Sequence, residues 1–383
     1  MVEWKKLGDL GSFENIGVDK KIVDGEQLVT LLNYVDVYHN KNIDSSIPQM
    51  QVSAPEKKIQ ACTVEQGDIF VTPTSETIDD IGHSSIITET IPHAVYSYHI
   101  MRYRLFEKNM LLSYYINYTF DTYNIKQQIL KKAQGLTRFG LSKDKFASIL
   151  IPIPSHSEQQ RIVSILDTFT SSISNLKQQI EERRKQYEYE RDLLLDLEGK
   201  EGVEMKKLGE VANFVKDRIE ASFLNSQNYV SVENLLKDKA GRINSENVPL
   251  KGNWSCYKHG DVLIGNIRPY LRKIWLADRK GGTNGDVLII RPNELLLPQF
   301  LYCVLASEKF FEYYNQTAKG GKMPRGEKSR ALSYTIPLPP LSEQQRIVSI
   351  LDTFEQSIAN LEEQLAMREK QYEYYRNQLL TFE

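Results

Sequence analysis

Ser157-Glu158-Gln159-Gln160-Arg161-Ile162-Val163-Ser164-Ile165-Leu166-Asp167-Thr168-Phe169 occurs twice: the same thirteen residues return as Ser342–Phe354, 185 positions later. Continued at that offset to Glu198 and Glu383, 28 of 42 positions are identical. In the first copy Ile162, Leu166, Phe169, Ile173, Leu176, Ile180, Arg183, Tyr187, Glu190, Leu194 and Leu197 step by four and three, and the second copy repeats the ladder from Ile347 to Phe382. A 4-3 alternation held over about five heptads predicts a coiled-coil helix. Ser157 with Gln160, and Ser342 with Gln345, have capping-box spacing at each helix start. Gly199 suits the left-handed position past a helix end. Arg183 and Arg368 interrupt the apolar ladders and are expected to form register-fixing ion pairs with Glu190 or its neighbours.

Connectivity sets the expected direction. A helix of about 42 residues is roughly 63 Å long. Antiparallel helices would put the end of the first beside the start of the second, so a compact unit between them suffices. The chain therefore divides into a variable unit (1–155), a long helix (156–199), a second variable unit (203–341) and a second long helix (342–383). The expected fold is two mixed α/β (α+β) domains separated by a long antiparallel two-helix coiled coil, with a pseudo-two-fold internal repeat. The variable units agree only at short marks. Lys5-Lys6-Leu7-Gly8-Asp9 matches Lys206-Lys207-Leu208-Gly209-Glu210, and Gly67-Asp68-Ile69-Phe70-Val71 echoes Gly260-Asp261-Val262-Leu263-Ile264. Runs such as Tyr229–Val232, Asp261–Gly265 and Asp286–Arg291 read as strands, and Met110–Ala133 and Leu296–Gln316 as helical stretches.

The formal charge of −2 hides an uneven distribution. Residues 204–335 hold 21 Lys and Arg against 14 Asp and Glu, a balance of +7, while residues 1–150 hold 16 against 18. Within the basic unit, Arg268, Tyr270, Arg272 and Lys273 interleave cations with an aromatic, and Lys319, Lys322, Arg325 and Lys328 lie in a glycine-rich run. The first unit offers Lys131, Lys132, Thr137 and Arg138 at the corresponding place before its helix. Cations on glycine-rich loops suit phosphates and guanine edges, so these twelve residues are the candidate DNA-binding set.

No catalytic constellation is readable. The sequence has no G-x4-G-K-[ST] phosphate loop, no G-x-S-x-G elbow and no Asn/Asp-Pro-Pro-Tyr/Phe run. Glu56-Lys57-Lys58 could be half of a nuclease triplet, a pattern common by chance. Six histidines and three cysteines lack zinc or disulfide spacing, which fits a reducing cytoplasm. The N-terminus lacks the apolar core of a signal peptide, and no stretch near twenty apolar residues exists. The expectation is a cytoplasmic protein with no membrane span, no metal and no cofactor of its own.

The duplicated Pro-x-x-Ser-Glu-Gln-Gln-Arg-Ile helix start after a proline-punctuated strand resembles the specificity subunit of type I restriction–modification systems. Gly320-Gly321 with Arg325 also looks like the end of a target recognition domain of that family. The resemblance covers the whole chain. It implies a non-catalytic subunit in which each recognition domain reads one half of a bipartite double-stranded DNA site. The coil would act as spacer and dock two modification subunits that methylate adenine with S-adenosylmethionine. Restriction subunits, translocase and nuclease, would join with ATP and Mg. The residues alone leave two rivals: a stand-alone nuclease or methyltransferase with an unfamiliar site, and a coiled-coil protein adaptor.

Overall fold

Two marks shared by the variable units show how each is closed. Leu7 and Leu208 are fully buried, and each donates its backbone N–H to the turn just before the last strand of its unit, Ile149 O at 2.9 Å and Tyr334 O at 2.8 Å. The strands ahead of them, Glu3–Lys6 and Glu204–Lys207, pair antiparallel with Leu150–Ile153 and Thr335–Leu338. Asp9 and Glu210 accept the backbone N–H of Lys6 and Lys207, capping the short turn that follows. The chain's first and last strands within each unit are thus zipped beside the start of a long helix.

These features belong to a computed structural model that describes residues 2–316 and 318–382. Met1 and Glu383, the outer bounds expected from sequence, lie outside the described residues. The chain forms two compact units, 2–176 with 364–382, and 177–363. In the first, a five-stranded sheet runs in the order Gly11–Glu14, Met101–Leu105, Ile69–Val71, Ser84–Ile87, Asn42–Ile43. A second sheet of Met50–Ala54, Gln27–Leu32 and Ala94–Tyr96 shares a core with it through Phe70, Ile87 and Tyr96. In the second unit, a four-stranded antiparallel sheet has the order Ala212–Phe214, Val287–Pro292, Val262–Gly265, Ile274–Leu276. A three-stranded sheet of Arg218–Glu220, Asn253–Tyr257 and Gly281–Thr283 completes it.

The echoed Gly-Asp mark has a structural role in both units. Asp68 and Asp261 are buried at the head of a central strand and bind Arg104 and Arg291, with closest contacts of 2.6 and 2.7 Å. Each also accepts a backbone N–H three residues upstream, from Glu65 and Lys258. A carboxylate can be buried at this point because every lone pair it turns inward meets a donor.

Several elements differ from the sequence expectation. Met110–Ala133 is two helices, Met110–Thr119 and Tyr123–Lys132, and Leu296–Gln316 is likewise Pro298–Leu305 and Glu308–Asn315. Thr122 and Ser307 restart the helix in each case, accepting the N–H of Ile125 at 3.5 Å and Phe310 at 3.3 Å. Tyr229–Val232 is no strand; Tyr229 makes one isolated bridge to Gly282.

The long helices run His156–Leu194 and Leu341–Leu379. The expected capping pairs are displaced. Ser155, not Ser157, faces the first turn, and the glutamines that turn inward are Gln159 and Gln344, whose amides donate to Pro154 O and Pro339 O at 2.9 Å. The first helix stops before the expected Glu198, and Gly199, at φ +75°, serves a later turn that Lys200 closes onto Leu197 O.

Within each unit the pieces of the two helices pack side by side in opposite directions. In the first unit Ile162 and Leu166 share a core with Leu379 and Leu380, while Phe169 stacks on Tyr375 at 5.3 Å. In the second, Ile347 and Leu351 pack with Tyr187 and Leu194, Tyr187 donates to Glu355 at 3.0 Å, and Arg184 reaches Glu362 at 2.5 Å. Arg183 and Arg368 do not form the expected ion pairs with Glu190 or its neighbours. Each lies over a phenylalanine, Phe354 at 6.0 Å and Phe169 at 5.6 Å, and hydrogen-bonds Gln186 or Gln371 along its own helix. An aromatic face accepts a cation in this half-buried seam without requiring a second buried charge.

Candidate nucleic-acid interface

The glycine-rich run of each unit closes a hairpin. Lys319 and Arg325 exchange backbone hydrogen bonds at 3.0 and 2.9 Å, and Gln134 and Gly140 do the same at 2.9 and 2.8 Å. Gly320 and Gly135 follow the first residue of each, with φ of +116° and +138°. A Cβ at Gly135 would fall 2.0 Å from Arg138 O, so glycine is required there by space as well as by torsion. The hairpins dock just past the central strand of each unit, Arg325 making an isolated bridge to Ile267 and Gly140 pairing with Thr74. Their interiors differ: Leu136, Thr137 and Arg138 stand where the second unit has Gly321, Lys322 and Met323.

Each hairpin walls a cleft inside its own unit. The first-unit cleft, about 560 Å³, is bordered by Thr74, Tyr98, His99, Arg138 and Lys143. Arg138 donates to Thr74 Oγ1 at 3.3 Å, and Tyr98 lies against His99 at 4.0 Å between ring centres. Burial, aided by the charges of Lys20 and Arg138, holds the His99 imidazole below its ordinary range. Of the other first-unit candidates, Lys131 and Thr137 are exposed, while Lys132 donates to Ser148 Oγ at 2.8 Å.

The second-unit cleft, about 430 Å³, is bordered by Tyr229, Glu233, Arg268, Lys273, Asp286 and Met323. The backbone N–H of Arg268 donates to Pro324 O at 2.7 Å, joining the Arg268–Lys273 run to the hairpin. The structure divides the candidates sharply. Arg272 turns to Glu308, donating to both carboxylate oxygens at 2.7 and 2.8 Å, and Lys239 reaches the same carboxylate at 2.9 Å. Burial would raise Glu308, but the hydrogen bonds and charges of Lys239 and Arg272 win and hold it below the ordinary carboxylate value. Lys273 is spent on Val232 O at 2.7 Å, and burial lowers its ammonium. Arg325 pairs with Asp286 at 3.1 Å. Lys319, Lys322 and Lys328 are exposed, and Tyr270 is half exposed at 51%.

Tyr98, His99 and Glu233 border the clefts but escape the sequence reading. They come from loops far from the glycine-rich runs, and no spacing signal links them. Among the described residues no cluster of His, Cys, Asp or Glu could hold a metal, and no helix is long and apolar enough to cross a membrane.

Comparison with known proteins agrees with this duplicated build. The family described as "Type I restriction modification DNA specificity domain" matches residues 1–183 and 200–367. The EcoR124I/EcoR124II type I restriction enzyme specificity subunit of Escherichia coli is 31% identical over 273 residues, 66% of this chain and 66% of that protein's length. A putative type I restriction enzyme specificity subunit of Haemophilus influenzae is 32% identical over 271 residues, 65% of this chain and 68% of its own. Among solved structures, the S subunit of a type I restriction–modification system from M. genitalium shares the fold, with a TM-score of 0.57 at 14% identity over 100% of this chain and 97% of its own. With matches to both of its halves, the chain belongs to the type I restriction–modification DNA specificity domain family and carries the domain twice.

Proposed function

We propose that this chain is the DNA-reading subunit of a type I restriction–modification complex, each unit binding one half of a bipartite site. The observation that carries the reading is the pair of hairpins. Both are built by the same backbone bonds at the same point of their units, yet they differ in the side chains they project. A common frame with unlike side chains is what two readers of unlike half-sites need.

The long helices act as spacer and as docking surface for two modification subunits that methylate adenine. S-adenosylmethionine, ATP and Mg are bound by partner subunits, including the restriction subunits, and this chain contributes no catalytic group. Support for the spacer comes from the repeated helix sequence and from the opposed packing of helix pieces within each unit. Reader separation would then follow helix length, with half-sites about one helical turn of DNA or a small multiple apart.

The test is methylation sequencing of cells carrying the complex. Removing matching heptads from both helices should shorten the unread spacer while both half-sites persist. Exchanging residues 203–341 for another second unit should change one half-site only. An unchanged spacer refutes the ruler role, and a change in both half-sites refutes the division of labour.

A further inference from the structure

We propose that Arg268 is the guanine-reading residue of the second unit; this rests on the proposed DNA-reading role and names the base it takes. Arg268 has φ +51° and ψ +59°, and Arg272, four residues on, has φ +50° and ψ +44°. Left-handed backbone is disfavoured for arginine and persists only where surroundings hold it. Here they do. Pro269 is buried, Arg268 N–H is bound by Pro324 O, Arg272 is clamped by Glu308, and Leu271 O and Arg272 O accept the N–H groups of Asp238 and Lys239. The strained turn is fixed on both flanks and presents Arg268 to the cleft beside the apolar Leu271.

That side chain is unspent. Arg268 Nε is buried with no hydrogen-bond partner among the described residues, whereas Arg272, Lys273 and Arg325 are each engaged by the protein. With Nε enclosed and no carboxylate or carbonyl of the described residues holding the guanidinium, its two outer Nη groups are the donors left for an acceptor from outside. The cleft's own charges decide which. Glu233 and Asp286 border it beside Arg268 and Lys273, and Asp286 is already paired with Arg325, so the border carries no excess of cations for a phosphate and suits a neutral base edge better. Two parallel donors on a planar guanidinium match O6 and N7 of guanine.

The experiment uses the complete modification complex. In cells, the wild type methylates a bipartite motif; Arg268→Ala and Arg268→Lys should both relax one guanine position in one half-site, leaving the other half-site and the spacer unchanged. Lysine keeps the charge but lacks the fork, so its failure separates base reading from charge. In vitro, wild-type complex is titrated against duplexes carrying 7-deazaguanine at each guanine in turn. One such position should weaken binding roughly tenfold, within the roughly 5- to 150-fold span of a bidentate base contact. Read only within the half-site that changes when residues 203–341 are exchanged, this arm needs no Arg268 variant and overturns the assignment if no guanine there is sensitive. An unchanged motif in Arg268→Ala, or no sensitive guanine, overturns the assignment while leaving the DNA-reading role intact. A wild type that methylates no bipartite motif overturns both.

Discussion

The guanidinium of Arg368 lies 5.6 Å from the centre of the Phe169 ring, and the equivalent Arg183 lies 6.0 Å from Phe354. The same pair is thus made once in each unit, 185 positions apart in both partners. Because the ring carries no net charge, the contact responds weakly to salt. Arg368→Gln should cost the first unit about 0.5–1 kcal/mol, with little change between low and high salt. Denaturant unfolding at two ionic strengths checks this; a loss that disappears at high salt would show an ion pair instead.

Leu166 and Leu351 occupy equivalent places under their own units and are almost wholly buried. Leu166→Ala should destabilise the first unit by about 2–5 kcal/mol, and Leu351→Ala the second by a similar amount. Hydrogen exchange read separately over residues 2–176 and 177–363 distinguishes the two. Equal loss of protection in both units from either substitution would contradict the separate cores.

Glu308 gives a pH signature with a defined sign. Its carboxyl is held below the ordinary value of 4.5, so its contribution is fully present above that pH and is lost as pH falls through the depressed folded-state value. At neutral pH Glu308→Gln should be less stable than wild type, and the gap should close on acidification through the depressed folded-state value. Parallel acid titrations of the two proteins test it. A gap that widens in acid would reverse the sign.

Cations that look alike in sequence should separate in binding assays. Lys322→Ala should weaken binding to all duplexes alike and reduce the salt slope by about one, as expected for a phosphate contact. Arg272→Ala should leave the salt slope nearly unchanged and lower second-unit stability, because its charge is already paired with Glu308. Mobility shifts across a salt series, with thermal melts of the same proteins, give both readouts.

The long helices were legible because a 4-3 ladder spans many turns and occurs twice. Short elements were not: Thr122 and Ser307 each restart a helix inside a stretch whose apolar pattern continues, so periodicity alone cannot see the break. The basic runs named segments whose side chains the fold then separates into engaged and free cations. Arg268 and Arg272 flank the same Pro-Tyr-Leu turn, and only Glu308, distant in sequence, absorbs one and leaves the other. Ion pairs for Arg183 and Arg368 were expected because acidic neighbours are visible along the chain. The opposing phenylalanines become visible only once the helices pair.

Each hairpin is pinned by two backbone bonds between its end residues and by a glycine at its second position, with Phe139 paired to Ser75 and Pro324 O bound by Arg268 N–H near the closing end. The exposed tips, residues 136–137 and 321–323, are where rewriting the sequence would disturb that frame least. A lineage under pressure to address new targets could acquire them through a handful of codon changes in either half, without rebuilding the scaffold that carries them.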